Sequence, residues 1–183
     1  MFIQTEETPN PNTLKFIPGV QVLKEGTVEF KDNISAKSSN LASLIFSING
    51  IERVFLATEF LSVTKSNDDN WEILKPLILT AIMDHYARKR SYKKNQNKTD
   101  ESTHEDTEVV RQIKELIDQR VRPAVAMDGG DISFCSFEDG VVTLQMKGAC
   151  AGCPSSTATL KMGIENMLRH YIPEVLEVKA AEL

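Results

Sequence analysis

The spacing of apolar residues changes several times along the chain, and each change marks an element. Thr8-Pro9-Asn10-Pro11-Asn12 forms turns, since each proline bars a helix. Thr13-Leu14-Lys15-Phe16-Ile17 then predicts a strand, stopped by Pro18-Gly19. Gly26-Thr27-Val28-Glu29-Phe30 predicts a second, shorter one. Between 39 and 49, Leu41, Leu44, Ile45 and Ile48 recur at helical spacing, and Gly50 is placed to end that helix. Two β-rich runs follow, Arg53-Val54-Phe55-Leu56-Ala57 and Phe60-Leu61-Ser62-Val63-Thr64-Lys65, with a tight connection through Thr58-Glu59. Asp68, Asp69 and Asn70 offer caps for a second helix whose face carries Trp71, Leu74, Leu77, Ile78, Ala81, Ile82 and His85. Pro76 inside that face predicts a separate or kinked first turn.

Beyond residue 87 the pattern disappears. A basic run (Arg88, Lys89, Arg90, Lys93, Lys94, Lys98) gives way to an acidic one (Asp100, Glu101, Glu105, Asp106, Glu108), with only Tyr92 able to anchor a core. This is the composition of a solvated tether. Periodicity returns with the helical stripe Val109, Ile113, Leu116, Ile117 and Val121, starting near Thr107. Pro123 interrupts it and Asp128-Gly129-Gly130-Asp131 ends it. Two alternating runs, 132–137 and 141–146, are joined by a hairpin turn at Glu138-Asp139-Gly140. Thr157, Leu160, Ile164, Met167, Leu168 and Tyr171 define another helix, closed by Ile172-Pro173, and Val175-Leu176-Glu177-Val178 predicts a last strand. The expected fold class is α+β: two small sheet-and-helix domains, 1–87 and 107–183, joined by a flexible charged linker at 88–106.

Composition narrows the setting. The chain has 183 residues, 41% hydrophobic and 26% charged, as in ordinary soluble globular proteins. A net charge of −5 does not favour nucleic acid or an anionic membrane, and the basic run lacks the interleaved aromatics of a nucleic-acid patch. No apolar stretch approaches the length of a membrane span. The acidic start of the chain reads as neither a signal peptide nor an intact transit peptide. Three cysteines, two of them in one tight motif, suit a reducing compartment.

Chemistry concentrates in Gly148-Ala149-Cys150-Ala151-Gly152-Cys153-Pro154-Ser155-Ser156. Thiolates are soft ligands for zinc, copper(I) and iron–sulfur clusters. Cys150 and Cys153 are spaced to face one metal from a single loop, which Gly148 and Gly152 permit. The serines read as helix N-caps, placing both thiols near the positive end of a helix, where the thiolate is favoured. A redox dithiol uses the same spacing, so metal binding and thiol–disulfide chemistry both stand at this point. Cys135 reads as a lone strand cysteine directed away from the Phe134 face. His170 lies roughly 25 Å along the helix from Cys153 and cannot join the same metal from its own chain. His85 reads as a packed or surface histidine and Trp71 as a core aromatic. Periodicity and composition give the first domain no chemistry.

The second half resembles the NifU C-terminal domain found in the Nfu iron–sulfur proteins. The resemblance runs through Val121-Arg122-Pro123-Ala124-Val125, Asp128-Gly129-Gly130-Asp131, the loop from Lys147 to Ser156, Thr159-Leu160-Lys161 and Gly163-Ile164-Glu165. The first half, through Thr8-Pro9-Asn10-Pro11-Asn12-Thr13-Leu14-Lys15-Phe16 and Asp84-His85, resembles the N-terminal domain that accompanies it. The resemblance implies a non-enzymatic scaffold or carrier of a 4Fe-4S cluster with Cys150 and Cys153 as ligands. Cubane clusters take four cysteine thiolates, and the motif supplies two, so two chains would share one cluster and cluster binding would create a homodimer. The implied partners are an upstream cluster donor and apo iron–sulfur acceptor proteins, with client docking as the role of the first domain. Neither nucleic acid nor membrane is expected. A thiol–disulfide oxidoreductase, a zinc site shared by two chains and a purely structural interaction module are the competing readings. The expected compartment is bacterial cytoplasm, with the mitochondrial matrix as the alternative for a processed form.

Overall fold

The computed structural model describes residues 2–89, 107–151 and 154–181, so nearly all of the expected linker lies outside the described residues. It has the expected α+β class, with two sheets and accompanying helices. The chain divides into two compact units, residues 1–4 with 16–105 and residues 5–15 with 106–183.

The first sheet has five strands, β1 (Gln4–Glu7), β2 (Thr13–Ile17), β3 (Val28–Phe30), β4 (Ile51–Leu56) and β5 (Leu61–Lys65), in the order β1-β2-β5-β4-β3. β4 pairs antiparallel with both β3 and β5, and its ladder with β5 carries a bulge between Ile51 and Arg53. The hairpin between β4 and β5 is closed by the Ala57 N–H donating to the Phe60 carbonyl at 2.9 Å. Helix α1 (Asn40–Phe46) is capped by Ser39, whose hydroxyl accepts from the Ala42 N–H at 3.3 Å. This helix ends before Gly50. That glycine, at φ +91°, instead turns the chain into β4, where a side chain would collide with the Asp69 carboxylate. Helix α2 (Trp71–Lys89) is continuous, and no separate first turn forms at Pro76. The Asn70 side chain accepts from the Glu72 N–H at 3.0 Å, and the Pro76 carbonyl accepts from the Thr80 hydroxyl. The missing proline N–H falls opposite the exposed Glu72 turn, so the helix runs on through it. Ile45 on α1 and Ile78 and Ile82 on α2 are fully buried.

In the second unit Thr107 caps α3 (Glu108–Leu116), accepting from the Val110 N–H at 3.4 Å. A π-helical turn, Ile117–Val121, leads directly into α4 (Arg122–Met127). The wider turn sends the Arg122 N–H to the Ile117 carbonyl, letting the helical path pass Pro123, which has no N–H to give. Strands β6 (Gly130–Glu138) and β7 (Val141–Gly148) form the expected hairpin. Asp139 (φ +49°) and Gly140 (φ +78°) both take the left-handed backbone of a tight two-residue turn. Helix α5 (Pro154–Tyr171) then returns the chain so that β8 (Glu177–Ala180) lies parallel to β7. Ile113, Ile117 and Val125 from the helices, Ile132 and Leu144 from the hairpin, and Ile164 and Leu168 from α5 share one core. The last strand starts two residues later than its apolar run, and Val175 is buried ahead of it. The polar β1 was not foreseen at all. No described helix is long and apolar enough to cross a membrane.

Candidate functional site

The candidate loop leaves β7 at Gly148, whose φ of +66° turns the chain out of the ladder. Three hydrogen bonds fix the loop beyond this turn. The Ala149 N–H donates to the Gly129 carbonyl at 3.2 Å, and the Ala151 N–H to the Gly148 carbonyl at 3.1 Å. The Thr157 hydroxyl of α5 donates to the Cys150 carbonyl at 3.1 Å. The loop is therefore tied to the end of the preceding helix and to the helix after it.

Cys150 is only 7% exposed and belongs to the core formed with Ile132, Met146 and Ile164. It fits there because position 130 has no side chain. A Cβ at Gly130 would stand 2.6 Å from the Cys150 Sγ and 2.8 Å from the Lys147 carbonyl oxygen. Gly130 lies opposite Gly148 in the β6–β7 ladder. The Asp128-Gly129-Gly130-Asp131 stretch is thus more than a helix stop: its second glycine makes the seat for the thiol. The sequence signal was the glycine at the start of a strand, which marks a close approach.

The thiol's chemistry departs from expectation. Burial, with Asp128 and Asp131 adding negative charge nearby, pushes the Cys150 thiol up to about 12. The expected helix N-terminal depression fails for two reasons. Cys150 lies inside the core, and α5 begins at Pro154, so Ser155 and Ser156 fall within its first turn rather than ahead of it. Asp131 itself is 4% exposed and gripped by Arg122, with Nε to Oδ1 at 3.0 Å and Nη2 to Oδ2 at 3.1 Å. The third guanidinium nitrogen reaches Asp118 Oδ1 at 3.1 Å. These partners, Asp131 foremost, raise the Arg122 pKa.

Cys153 and Gly152 lie outside the described residues. Cys135 is exposed at the bulge between Phe134 and Ser136, so it packs in no core. His170 is exposed on α5, edge-on to Tyr171. His85 is half-buried against Tyr86. Trp71, expected in the core, is only half-buried at the start of α2 with the Lys65 ammonium 6.0 Å above its ring. Among the described residues, no three His, Cys, Asp or Glu side chains gather as a metal site.

This arrangement predicts a contrast in thiol reactivity. With its thiol pushed up to about 12, Cys150 is almost wholly protonated at pH 8 and sheltered in the core. Iodoacetamide is expected to modify Cys135 of the apo-protein well ahead of Cys150, as read by peptide mass mapping. Raising the pH should speed modification of Cys150 about tenfold per unit up to about 12. Equal rates for the two cysteines at pH 8 would contradict the buried seat.

Two family models match the chain, one described as scaffold protein Nfu/NifU N terminal over residues 3–89 and one as NifU-like domain over residues 113–179. The chain belongs to the Nfu/NifU family. Within the family it is 50% identical over 98% of its length to NifU-like protein 5, mitochondrial, of Arabidopsis thaliana, covering 67% of that protein. It is 49% identical over 96% of its length to NFU1 iron-sulfur cluster scaffold homolog, mitochondrial, of Homo sapiens, covering 70% of it. Against the protein of the same name from Drosophila persimilis it is 46% identical over 98% of its length and covers 64%. The chain thus spans about two thirds of the length of these Nfu relatives. The NifU-like match contains the whole Gly148–Ser156 loop, with both motif cysteines.

Proposed function

We propose that this Nfu chain is a carrier of iron–sulfur clusters, holding a 4Fe-4S cluster between two copies through Cys150 and Cys153 of each and passing it to apo acceptor proteins. The cluster is cargo received from an upstream donor, and the chain is not an enzyme. Its two domains are taken as 1–87 and 107–183, joined by the charged run 88–106. The observation that supports this most is the dedicated seat of Cys150: a motif cysteine held at its carbonyl by Thr157 and accommodated by Gly130. The names of the Nfu relatives, which include iron-sulfur cluster scaffold, point the same way. Those names also carry the word mitochondrial, which favours the matrix over the bacterial cytoplasm as the compartment.

In this mechanism the seat protects the Cys150 thiol while the carrier is empty. A thiol held protonated in a core is a poor nucleophile, so Cys150 of the empty carrier resists adventitious oxidation and modification. Loading requires Cys150 to lose its proton to solvent and to turn from its seat towards iron, which couples cluster uptake to movement of the loop. Four thiolates from two chains complete the cubane. An interface cluster remains open to an acceptor's thiols, and the halves part once it has been handed over.

Anaerobic reconstitution with ferrous iron and sulfide tests the reading. The expected product is a brown dimer with about four irons and four sulfides per pair of chains. A colourless monomer that turns over disulfides would replace the carrier by a redox dithiol, and a colourless zinc dimer would replace the cluster by zinc.

A further inference from the structure

The turn Thr8-Pro9-Asn10-Pro11-Asn12 has no part in the chemistry described so far. It joins β1 to β2, yet residues 5–15 belong to the same compact unit as the Cys150 loop. Its own hydrogen bonds make it stiff. The Thr8 hydroxyl donates towards the Asn10 and Thr13 carbonyls, each at 2.9 Å, and accepts from the Asn10 N–H at 3.2 Å. The Asn10 side chain accepts from the Asn12 N–H at 3.0 Å, and the Asn10 carbonyl from the Thr13 N–H at 2.9 Å. Asn10 and Thr13 are buried although polar, whereas Pro9 and Pro11 are exposed.

Two contacts set this turn against the seat of Cys150. Pro9, Asp128, Ala149, Cys150 and Leu160 line one cavity of about 60 Å³. That is room for a few waters, and not for a cluster or the loop of a second copy. The rest of Cys150 lies in its core, so this cavity is the side from which the thiol is reached. Lys15 makes the other contact. Its side chain is 10% exposed, and its ammonium donates to the Ala126 carbonyl at 3.1 Å and the Met127 carbonyl at 3.2 Å. These are the last carbonyls of α4, at the end of the helix where a cation is favoured. Glu6 Oε2, 3.3 Å from the ammonium, balances its charge. The grip continues into the seat. The Ala126 carbonyl also accepts from the Gly129 N–H, and the Gly129 carbonyl accepts from the Ala149 N–H.

We propose that the Thr8–Asn12 turn, fastened by Lys15 to the end of α4, is a latch over Cys150. It closes the seat in the empty chain and must lift before two copies bring their loops together. The lifting step rests on the carrier reading, whereas the closed latch is a property of the empty chain alone.

The full-length chain tests both halves. In the empty protein, alkylation of Cys150 by iodoacetamide at pH 8 is read by peptide mass mapping, with exposed Cys135 as the internal standard. Pro9→Asp removes the ring from the cavity wall and sets a carboxylate near Asp128, so Cys150 should react about tenfold faster. Pro11→Asp makes the same change in the same turn, but Pro11 does not line the cavity, and Cys150 should react as in the parent. Both prolines are exposed, so both variants keep the fold. Lys15→Met frees the other end of the latch and should speed Cys150 by about tenfold as well. For the lifting step, acetylation of Lys15 by an N-hydroxysuccinimide ester is compared with that of exposed Lys24, before and after anaerobic loading with iron and sulfide. Lys15 should be slow in the empty chain and about tenfold faster in the loaded dimer. Cys150→Ala treated in the same way should stay slow. Equal Cys150 rates in Pro9→Asp and Pro11→Asp would overturn the latch, and so would a parent chain that loads with Lys15 still shielded. A parent chain that takes up no cluster sinks the carrier reading, and the alkylation ratio of the two proline variants then decides the latch by itself.

Discussion

Cys150→Ala is expected to yield a folded apo-protein that takes up no cluster. The first half of that result comes from packing. The side chain is small, and removing its sulfur from the core beside Ile132 and Ile164 costs about 1 kcal/mol, well short of what unfolds a domain. The backbone of the loop does not need the thiol, because its ties run from Ala149 to Gly129 and from Thr157 to the Cys150 carbonyl. The second half comes from counting ligands in the proposed carrier. Losing Cys150 from both chains leaves one motif thiolate from each, and two thiolates do not hold a cubane. Iron and acid-labile sulfide should fall to background after anaerobic reconstitution, while circular dichroism and elution volume of the apo-protein stay unchanged. Cys135→Ala, at an exposed bulge, should load as the parent chain does. Full iron and sulfide in Cys150→Ala would remove Cys150 from the ligand set and the shared-cluster reading with it.

How far the sequence is legible depends on how local each signal is. The strand Thr13–Ile17, the helix start near Thr107 and the Asp139-Gly140 turn depend on a few neighbouring residues, and each forms where the pattern puts it. The strand Gln4–Glu7 was illegible because its residues are polar and at most half-buried, leaving no apolar alternation to detect. At Pro76 the separate first turn that a local rule allowed does not form, because Leu74, Ile78 and Ile82 of the continuous helix are held in a core. The motif cysteines were visible as a site, but the state of the thiol was not. Its elevation to about 12 is set first by burial in a core to which α3, α4, β6 and α5 contribute, and then by the charges of Asp128 and Asp131. Those residues come together only on folding.

Gly130→Ala tests the seat directly, and here stability and thiol chemistry should change together. Gly130 is not among the glycines with positive φ, so the backbone accepts alanine and the cost is one of space. The new methyl would meet three atoms: Cys150 Sγ at 2.6 Å, the Lys147 carbonyl oxygen at 2.8 Å and the Cys150 N at 3.1 Å. The sulfur can rotate away, whereas the carbonyl and the amide are backbone and can yield only by moving the β6–β7 ladder where Asp131 faces Lys147. Overpacking of this kind costs about 1–3 kcal/mol, a fall in melting temperature of roughly 10 °C. Relief is cheapest at the thiol, so Cys150 should be driven from its pocket and its alkylation at pH 8 should accelerate about tenfold or more. Gly140→Ala supplies the control. It strains the same sheet at φ +78° and against Leu176, at the turn end of the hairpin rather than the Gly148 end. If general loosening were the cause, both variants would expose Cys150 equally. If Gly130 is the seat, only Gly130→Ala will, and a Gly130→Ala protein with Cys150 as sheltered as in the parent would show that the glycine serves the ladder alone.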